Sequence, residues 1–259
     1  MRKSKRIIKD NDALRQQYHQ LDQGDLVLGR IRVKATEEQL LLDLAVRGIE
    51  LFPSALSQLA SRSKTFQTLL FSPHMVPHTR AVHDSHDLLE TMNHLHQHGI
   101  GRVVTKQDRR NAGQGIHLWD SVENLYTQAS LGMLPYPFVL QPFHPGCHDI
   151  RVIVLGEYRE AYQRSNPDNF RNNLHMGGKS SPCTLSESQW TLCLRVMERG
   201  QFPYAHLDLI VLPSGETYVT EINLRGGIKG ARITPREYRE RVAQIQEAAE
   251  RGEGKTLVR

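Results

Sequence analysis

Two carboxylates and one amide lie on a predicted β-hairpin over residues 206–223, where their spacing could bind a metal ion. If the Ser-Gly pair at 214–215 forms a two-residue turn, Asp208 lies directly opposite Glu221 on one face of the hairpin. Asn223 points to the same face as Glu221, because side chains alternate along a strand. The sequence therefore predicts three oxygen-bearing side chains side by side.

Opposed carboxylates leave two interpretations of this hairpin. Bare like charges opposite each other destabilise a strand pair, and a hard divalent cation removes that conflict. Carboxylate and amide oxygens are the ligands that Mg²⁺ selects. In the alternative, a different register separates the carboxylates and leaves each one in solvent. From the hairpin alone, the two interpretations carry equal weight.

A single lysine, Lys106, ends a predicted strand over residues 102–106 and precedes the loop QDRRNAGQG at 107–115. A lysine beside the backbone N–H groups of a glycine-containing loop suits a polyphosphate. The alternative is an exposed lysine beside a flexible hairpin loop, which is the more common case for such a pattern. The loop lacks the GK[ST] ending of a Walker A motif, so it does not predict that type of nucleotide site.

A long polar loop over residues 166–182 begins just after a predicted hairpin. Around it, the stretch 164–178 contains Arg164, Arg171, Asn172, Asn173, His175, Gly177 and Gly178. Arginine forks match phosphate or carboxylate oxygens, and paired glycines let the backbone approach a ligand. The alternative is a solvated surface loop, although a loop of this length tends to be functional or disordered.

Short strands and amphipathic helices position these residues and predict an α+β fold built mostly from antiparallel hairpins. The predicted strands cover residues 25–33, 50–52, 102–106, 116–119, 138–143, 149–156, 158–164, 206–213 and 216–223. The predicted helices cover residues 36–48 and 55–71, a segment from Asp84 or Ser85 to Gly99, residues 121–130 after a capping box of Asp120 and Glu123, and segments that begin near Thr184 and Thr234.

Composition and charge favour a mildly basic enzyme with an anionic ligand. The 259-residue chain is 39% hydrophobic and 24% charged, and it has no apolar run that could span a bilayer. Its net charge of +5 is scattered, whereas nucleic-acid binders concentrate basic residues in one stripe. The separated cysteines Cys147, Cys183 and Cys193 argue against a disulfide framework or a zinc cluster. We therefore expect a cytoplasmic protein without a membrane or nucleic-acid partner.

Seven histidines lie between residues 74 and 98 and raise the question of a second metal site. His94 and His98 are one helical turn apart, a spacing that can bind Zn²⁺. No cysteine or evident carboxylate completes a four-ligand site nearby. The pattern therefore favours the solvated polar face of a helix.

The runs QPF…GCHDIRVIVLGE, NFRNNLHMGG and LDLIV…YVTEINLRGGIKG, over residues 141–230, together resemble the C-terminal part of the ATP-grasp fold. The resemblance is to the RimK-type branch, which includes α-L-glutamate ligases that add glutamate to a protein or cofactor. Ser63-Lys64 and VVTKQDRRNAGQGI at 103–116 resemble its central part. The likeness covers residues 50–232.

This resemblance implies two α+β lobes that enclose ATP, with a shortened N-terminal pre-grasp segment. The implied division is residues 1–55 for the N-terminal segment, 56–135 for the small lobe, 136–250 for the C-terminal lobe and 251–259 for a tail.

The resemblance also implies a role for each matching residue. Those implied to hold ATP are Lys64 and Lys106 with Gly113 and Gly115 at the phosphates, Gln141, Pro142 and Phe143 at the adenine, and Asp149 near the nucleotide. Those implied to surround the transferred phosphoryl group and the acyl intermediate are Arg164, Arg171 and Asn173. The implied ligands of Mg²⁺, or of Mn²⁺, are Asp208, Glu221 and Asn223, the trio that the hairpin register also selects.

The implied activity is amide formation between a carboxylate and an amine, through an acyl phosphate made from Mg-ATP. The alternatives are an ATP-grasp phosphotransferase, which phosphorylates an alcohol, and a non-catalytic ATP-binding protein. The chain departs from the family at Ser63, where an acidic residue is usual, and at Arg225, where close relatives have proline. Its short N-terminal portion predicts an open site that takes a peptide or protein acceptor, or that a partner chain or second copy completes.

Overall fold

The structure, a computed structural model of the chain, describes residues 5–110, 113–172, 174 and 177–253. Within these residues, three β-sheets and eight α-helices form the α+β fold that the sequence predicts. None of the helices in these ranges is long and apolar enough to cross a membrane.

The first sheet is parallel and belongs to the N-terminal segment. Its strands, in spatial order, are β1 (Ile7–Ile8), β2 (Leu26–Leu28) and β3 (Glu50–Phe52). The helices of this segment are α1 (Asn11–Gln17) and α2 (Gln39–Val46), and its buried apolar side chains form a core of their own. The predicted strand over 25–33 is too long. Gly29 turns the chain at φ 94°, and the Ile31 N–H donates to the Gln58 side chain at 2.8 Å instead of to a strand.

The second sheet has four antiparallel strands in the order β4-β7-β5-β6. The strands are β4 (Arg80–Val82), β5 (Val103–Gln107), β6 (Ile116–Trp119) and β7 (Phe138–Pro142), and the helices that share its core are α5 (Ser85–Gln97) and α6 (Val122–Ser130). Because β7 pairs inside this sheet, the sheet extends beyond the lobe boundary expected at residue 135. The Asp120 cap is wrong, since Ser121 accepts the N–H of Asn124 and caps α6.

The third sheet has five antiparallel strands in the order β10-β9-β8-β11-β12. The strands are β8 (His148–Leu155), β9 (Tyr158–Ser165), β10 (Lys179–Pro182), β11 (Tyr204–Val211) and β12 (Thr217–Asn223), and the helices of this lobe are α7 (Glu187–Arg199) and α8 (Pro235–Glu250). The end of the predicted polar loop is therefore an edge strand, β10, paired with β9. Helix α7 is capped by Ser186 rather than by Thr184, whereas Thr234 caps α8 as predicted.

Helices α3 (Ala55–Ala60) and α4 (Lys64–Phe71) connect the sheets. The single helix predicted over 55–71 is wrong, because Ser63 is extended and caps a new helix by accepting the N–H of Phe66. This break places Lys64 at the first position of α4. The Gln67 side chain donates to the carbonyl of Ile222 and accepts its N–H, each at 2.9 Å, so α4 is fixed to β12.

Candidate functional site

A cavity of about 660 Å³ lies between the second and third sheets. Strands β5 and β7 border one side, and strands β8, β9, β11 and β12 border the other. Twelve of the fourteen predicted site residues line it: Lys64, Lys106, Gly113, Gln141, Pro142, Phe143, Asp149, Arg164, Arg171, Asp208, Glu221 and Asn223. Gly115 is not among the lining residues, and Asn173 lies outside the described residues.

A row of charged side chains crosses the third sheet on the face that lines the cavity. Asp208 on β11 lies opposite Arg151 on β8 and opposite Glu221 on β12. Arg151 donates to both carboxylate oxygens of Asp208, at 2.7 Å each, and Arg164 Nη2 lies 3.2 Å from the same carboxylate. Arg164 also donates to Asp149 at 2.5 Å. Guanidinium and carboxylate groups therefore alternate in a series of contacts from Arg151 through Asp208 and Arg164 to Asp149.

Burial and the neighbouring charges shift the pKa values of Asp208 and Arg164 in opposite directions. Burial alone would raise the pKa of Asp208, but Arg151 and Arg164 outweigh it and hold that pKa well below its usual range. Burial also opposes the charge of Arg164, yet Asp208 and Asp149 keep the pKa of this guanidinium above its usual range. Asp208 is therefore ionised at neutral pH, as a metal ligand must be.

The hairpin places Asp208 opposite Glu221, as the sequence predicts, but its turn and strand register differ from those predicted. Nearer the turn, the pairing of β11 with β12 is shifted by one residue. The turn spans residues 213–215, three residues rather than two, and Thr220 forms a bulge that restores the register. The predicted two-residue turn is wrong, and the bulge compensates for it.

Neither carboxylate of this pair is bare. Glu221 forms an ion pair with Lys64, with 3.0 Å between Oε1 and Nζ, while Asp208 is held by two guanidinium groups. The protein's own cations thus offset the like-charge conflict that the hairpin pattern indicates. The carboxylates and the amide of Asn223 fit a hard cation in ligand type, and they share the cavity and one face of the hairpin.

Two lysines bring positive charge to the cavity from different elements. Lys64 donates to the carbonyl of Arg110 at 2.6 Å, so it ties α4 to the glycine loop as well as to Glu221. Lys106 donates to Gln141 Oε1 on the neighbouring strand at 2.8 Å. Burial lowers the pKa of Lys106, and Glu221 offsets this only in part. A buried ammonium of this kind gains from an anionic ligand.

The polar loop reaches across the cavity to the second sheet. Arg171 donates to the carbonyl of Ile116 in β6, and its guanidinium lies 4.3 Å from the ring centroid of Phe170. At Gly115, φ is 73° and a Cβ would meet the Gln107 side chain at 2.8 Å. Gly115 therefore serves the tight turn of the β5–β6 hairpin.

Four further cations line the cavity, and the sequence did not predict a role for them there: Arg30, Arg110, Arg151 and Lys229. A signal for Arg151 was present, because a residue two positions after Asp149 in the same strand shares its face. Arg30 comes from the N-terminal segment, and no local pattern connects that segment to the third sheet. Only the tertiary structure brings it to the cavity.

Comparison with known proteins gives a consistent result. A family model described as a RimK-like ATP-grasp domain matches residues 60–239. The chain is 28% identical over 221 residues to "Probable alpha-L-glutamate ligase 2" of Hahella chejuensis (strain KCTC 2396), an alignment that covers 80% of this chain and 70% of that protein. It is 27% identical over 161 residues to "Probable alpha-L-glutamate ligase" of Xylella fastidiosa (strain M12), covering 58% of this chain and 50% of that protein.

Among solved structures, D-cycloserine synthetase DcsG is similar with a TM-score of 0.62 and 15% sequence identity. The similarity covers 87% of this chain and 83% of that chain, and at this identity it shows a shared fold. This chain spans half or less of the length of most of the curated relatives that it matches.

Proposed function

We propose that this chain, which belongs to the RimK-like ATP-grasp family, is an ATP-dependent ligase that joins a carboxylate to an amine. The observation that supports this most directly is that oxygen ligands for a metal ion and ammonium groups for a polyphosphate line the same cavity. Three oxygen ligands, Asp208, Glu221 and Asn223, share it with the ammonium groups of Lys64 and Lys106. A divalent cation and a polyphosphate require these two sets of groups together.

The proposed reaction has two steps. The substrate carboxylate attacks the γ-phosphorus of ATP, so that an acyl phosphate forms and ADP leaves. The amine then attacks the acyl carbon, an amide bond forms, and inorganic phosphate leaves as the amine loses a proton. Neither step requires a side-chain nucleophile, because positioning and charge stabilisation supply the catalysis.

The proposal assigns tasks in this reaction to the predicted site residues. We assign Mg²⁺, or Mn²⁺ in its place, to Asp208, Glu221 and Asn223, where it would neutralise phosphate charge. Lys64 and Lys106 hold the polyphosphate with the glycine loop at Gly113, and the segment 141–143 borders the adenine. Arg164, which Asp149 and Asp208 hold in position, acts with Arg171 and Asn173 at the transferred phosphoryl group.

Two further arginines indicate an acidic substrate. Arg30 and Arg225 both line the cavity, and among the described residues no ion pair joins either of them to a carboxylate. Burial lowers the pKa of Arg30, and Arg225 adds to that effect. Since relatives carry glutamate in their names, we propose an acidic amino acid as one substrate and a peptide, a protein or a small amine-bearing molecule as the other. A partner chain or second copy would complete the acceptor side.

All three cysteines are free thiols, which supports the expectation of a reducing cytoplasm.

Trapping with hydroxylamine tests the proposed chemistry without knowledge of the amine. Purified protein is incubated with Mg-ATP, hydroxylamine and, in turn, amino acids, dicarboxylic acids and peptides. We expect at least one acid to give a hydroxamate together with an equal amount of ADP, because hydroxylamine attacks an acyl phosphate.

The other outcomes separate the alternatives. ADP release with a stable phosphate ester and no hydroxamate would indicate a phosphotransferase. ATP binding without ADP release across the whole panel would indicate a non-catalytic ATP-binding protein. Either result contradicts the ligase proposal.

A further inference from the structure

Three histidine rings meet on the surface of the second sheet's lobe, outside the cavity. His94 and His98 lie one turn apart at the C-terminal end of α5, and His78 approaches them from the loop before β4. One nitrogen from each ring lies within 4.8 Å of the others. The ring centroids of the three pairs are separated by 5.1, 4.5 and 4.4 Å. A third ligand, absent from the helical pattern alone, is therefore present.

The hydrogen bonds of the cluster fix where lone pairs are available. His98 Nδ1 lies 2.7 Å from the carbonyl oxygen of His94, which can only accept, so this nitrogen carries the proton. In the neutral ring, Nε2 of His98 then keeps its lone pair. A metal-binding histidine commonly donates its other N–H to a backbone carbonyl in this way.

The other two rings share one proton. His78 Nδ1 and His94 Nε2 are 2.9 Å apart, and one of them must be an acceptor. In a tetrahedral site with Zn–N bonds of normal length, neighbouring nitrogens are separated by about 3.3 Å. The 2.9 Å between His78 Nδ1 and His94 Nε2 is therefore a few tenths of an ångström shorter than the separation of two zinc ligands.

Among the described residues, no ion pair joins His78, His94 or His98 to a carboxylate. The nearby carboxylates of Asp87, Glu90 and Glu123 instead pair with the other histidines, His83, His86 and His96. Neutral imidazoles are the form that a metal ion binds.

The backbone supports the same arrangement. His78 has φ 63°, in the left-handed region that a residue with a side chain rarely adopts. This conformation brings a ring from an irregular segment against the helix. A residue in a costly conformation at a ligand cluster is a reason to look for a function.

We propose that His78, His94 and His98 bind one transition-metal ion of the Zn²⁺ class, with water completing the coordination. Imidazole nitrogens suit Zn²⁺, Ni²⁺ and Cu²⁺, whereas Mg²⁺ prefers oxygen ligands, so this site is chemically distinct from the cavity. None of the three histidines lines the cavity. The ion would join the loop before β4 to the end of α5.

The test uses the full chain without a histidine tag, stripped with a chelator and then freed of it. Calorimetric titration with Zn²⁺ in excess Mg²⁺ keeps the oxygen ligands of the cavity occupied. We expect one Zn²⁺ per chain, and His94→Ala or His98→Ala should weaken binding about tenfold or more. Co²⁺ in place of Zn²⁺ should give the intense visible absorption of tetrahedral coordination.

The matched control is His86→Ala, on the same helix but outside the cluster, with a side chain that is 78% exposed. This variant should bind Zn²⁺ as the wild type does. Zn²⁺ should also raise the melting temperature of the wild type and leave that of His94→Ala unchanged. A cooperative unfolding transition of metal-free His94→Ala would exclude misfolding as the cause. Wild-type protein that binds no Zn²⁺ at micromolar concentrations, or equal losses in His86→Ala and His94→Ala, would overturn the proposal.

Discussion

Replacing Asp208 with asparagine is expected to abolish turnover and to lower the free energy of unfolding by about 3–5 kcal/mol. Asp208 is buried and offsets the guanidinium groups of both Arg151 and Arg164. Removing its charge leaves two buried cations without their shared partner. It also removes one proposed ligand of the metal ion, so stability and activity should fall together.

The pH dependence of this effect has a definite sign. The pKa of Asp208 in the folded protein lies below its unfolded value of about 4. Its stabilising contribution is therefore complete above that pH and is lost as the pH falls towards the folded pKa. The gap in unfolding free energy between wild type and Asp208→Asn should narrow on acidification below pH of about 4.

Chemical denaturation at several pH values measures this gap. Glu216→Gln is the control, because Glu216 is exposed near the turn of the same hairpin. It should leave both stability and turnover unchanged. An Asp208→Asn protein with wild-type stability at neutral pH would contradict the stabilising role of the ion pairs between Asp208 and the two arginines.

Replacing Lys106 with methionine should weaken ATP binding about 10- to 100-fold, the loss of one charge-assisted hydrogen bond to phosphate. The free energy of unfolding, in contrast, should stay the same or rise. Burial lowers the pKa of Lys106, so at neutral pH its charge opposes folding. The variant should therefore unfold at an equal or higher denaturant concentration than the wild type.

Calorimetric titration with Mg-ATP and a denaturation curve test both halves of this prediction. Lys179→Met, on the exposed edge strand β10, serves as the control and should bind ATP normally. Unchanged ATP affinity in Lys106→Met would remove Lys106 from the nucleotide site. A large loss of stability would show instead that this lysine holds the two strands together.

In the β11–β12 hairpin, the local sequence predicts the paired residues but not the details of the turn. Alternation and turn residues place Asp208 opposite Glu221, yet the turn has three residues and the Thr220 bulge restores the register. The alternation of side chains does not predict the bulge, because a bulge depends on how the strand pairs and packs with its neighbours. The predicted pair is confirmed, although the turn behind it is wrong.

Features that depend on contacts between distant segments of the chain could not be predicted from the sequence. The helix over 55–71 breaks at Ser63, and no glycine or proline marks this position. Its cap also bonds to Asp108, 45 residues away, so the break is supported by tertiary structure. His78 likewise contacts His94 only because the fold brings the two segments together. The spacing of histidines along the helix does not predict this contact.

Oxygen-18 transfer tests the central claim, ligation through an acyl phosphate, most directly. The acid that gives a hydroxamate is labelled with oxygen-18 in both carboxylate oxygens and is incubated with Mg-ATP and its amine. Mass spectrometry of the released inorganic phosphate should find one labelled oxygen per molecule, because the carboxylate oxygen that attacks ATP leaves with the phosphate. Released phosphate without label, in the presence of amide product, would contradict this account.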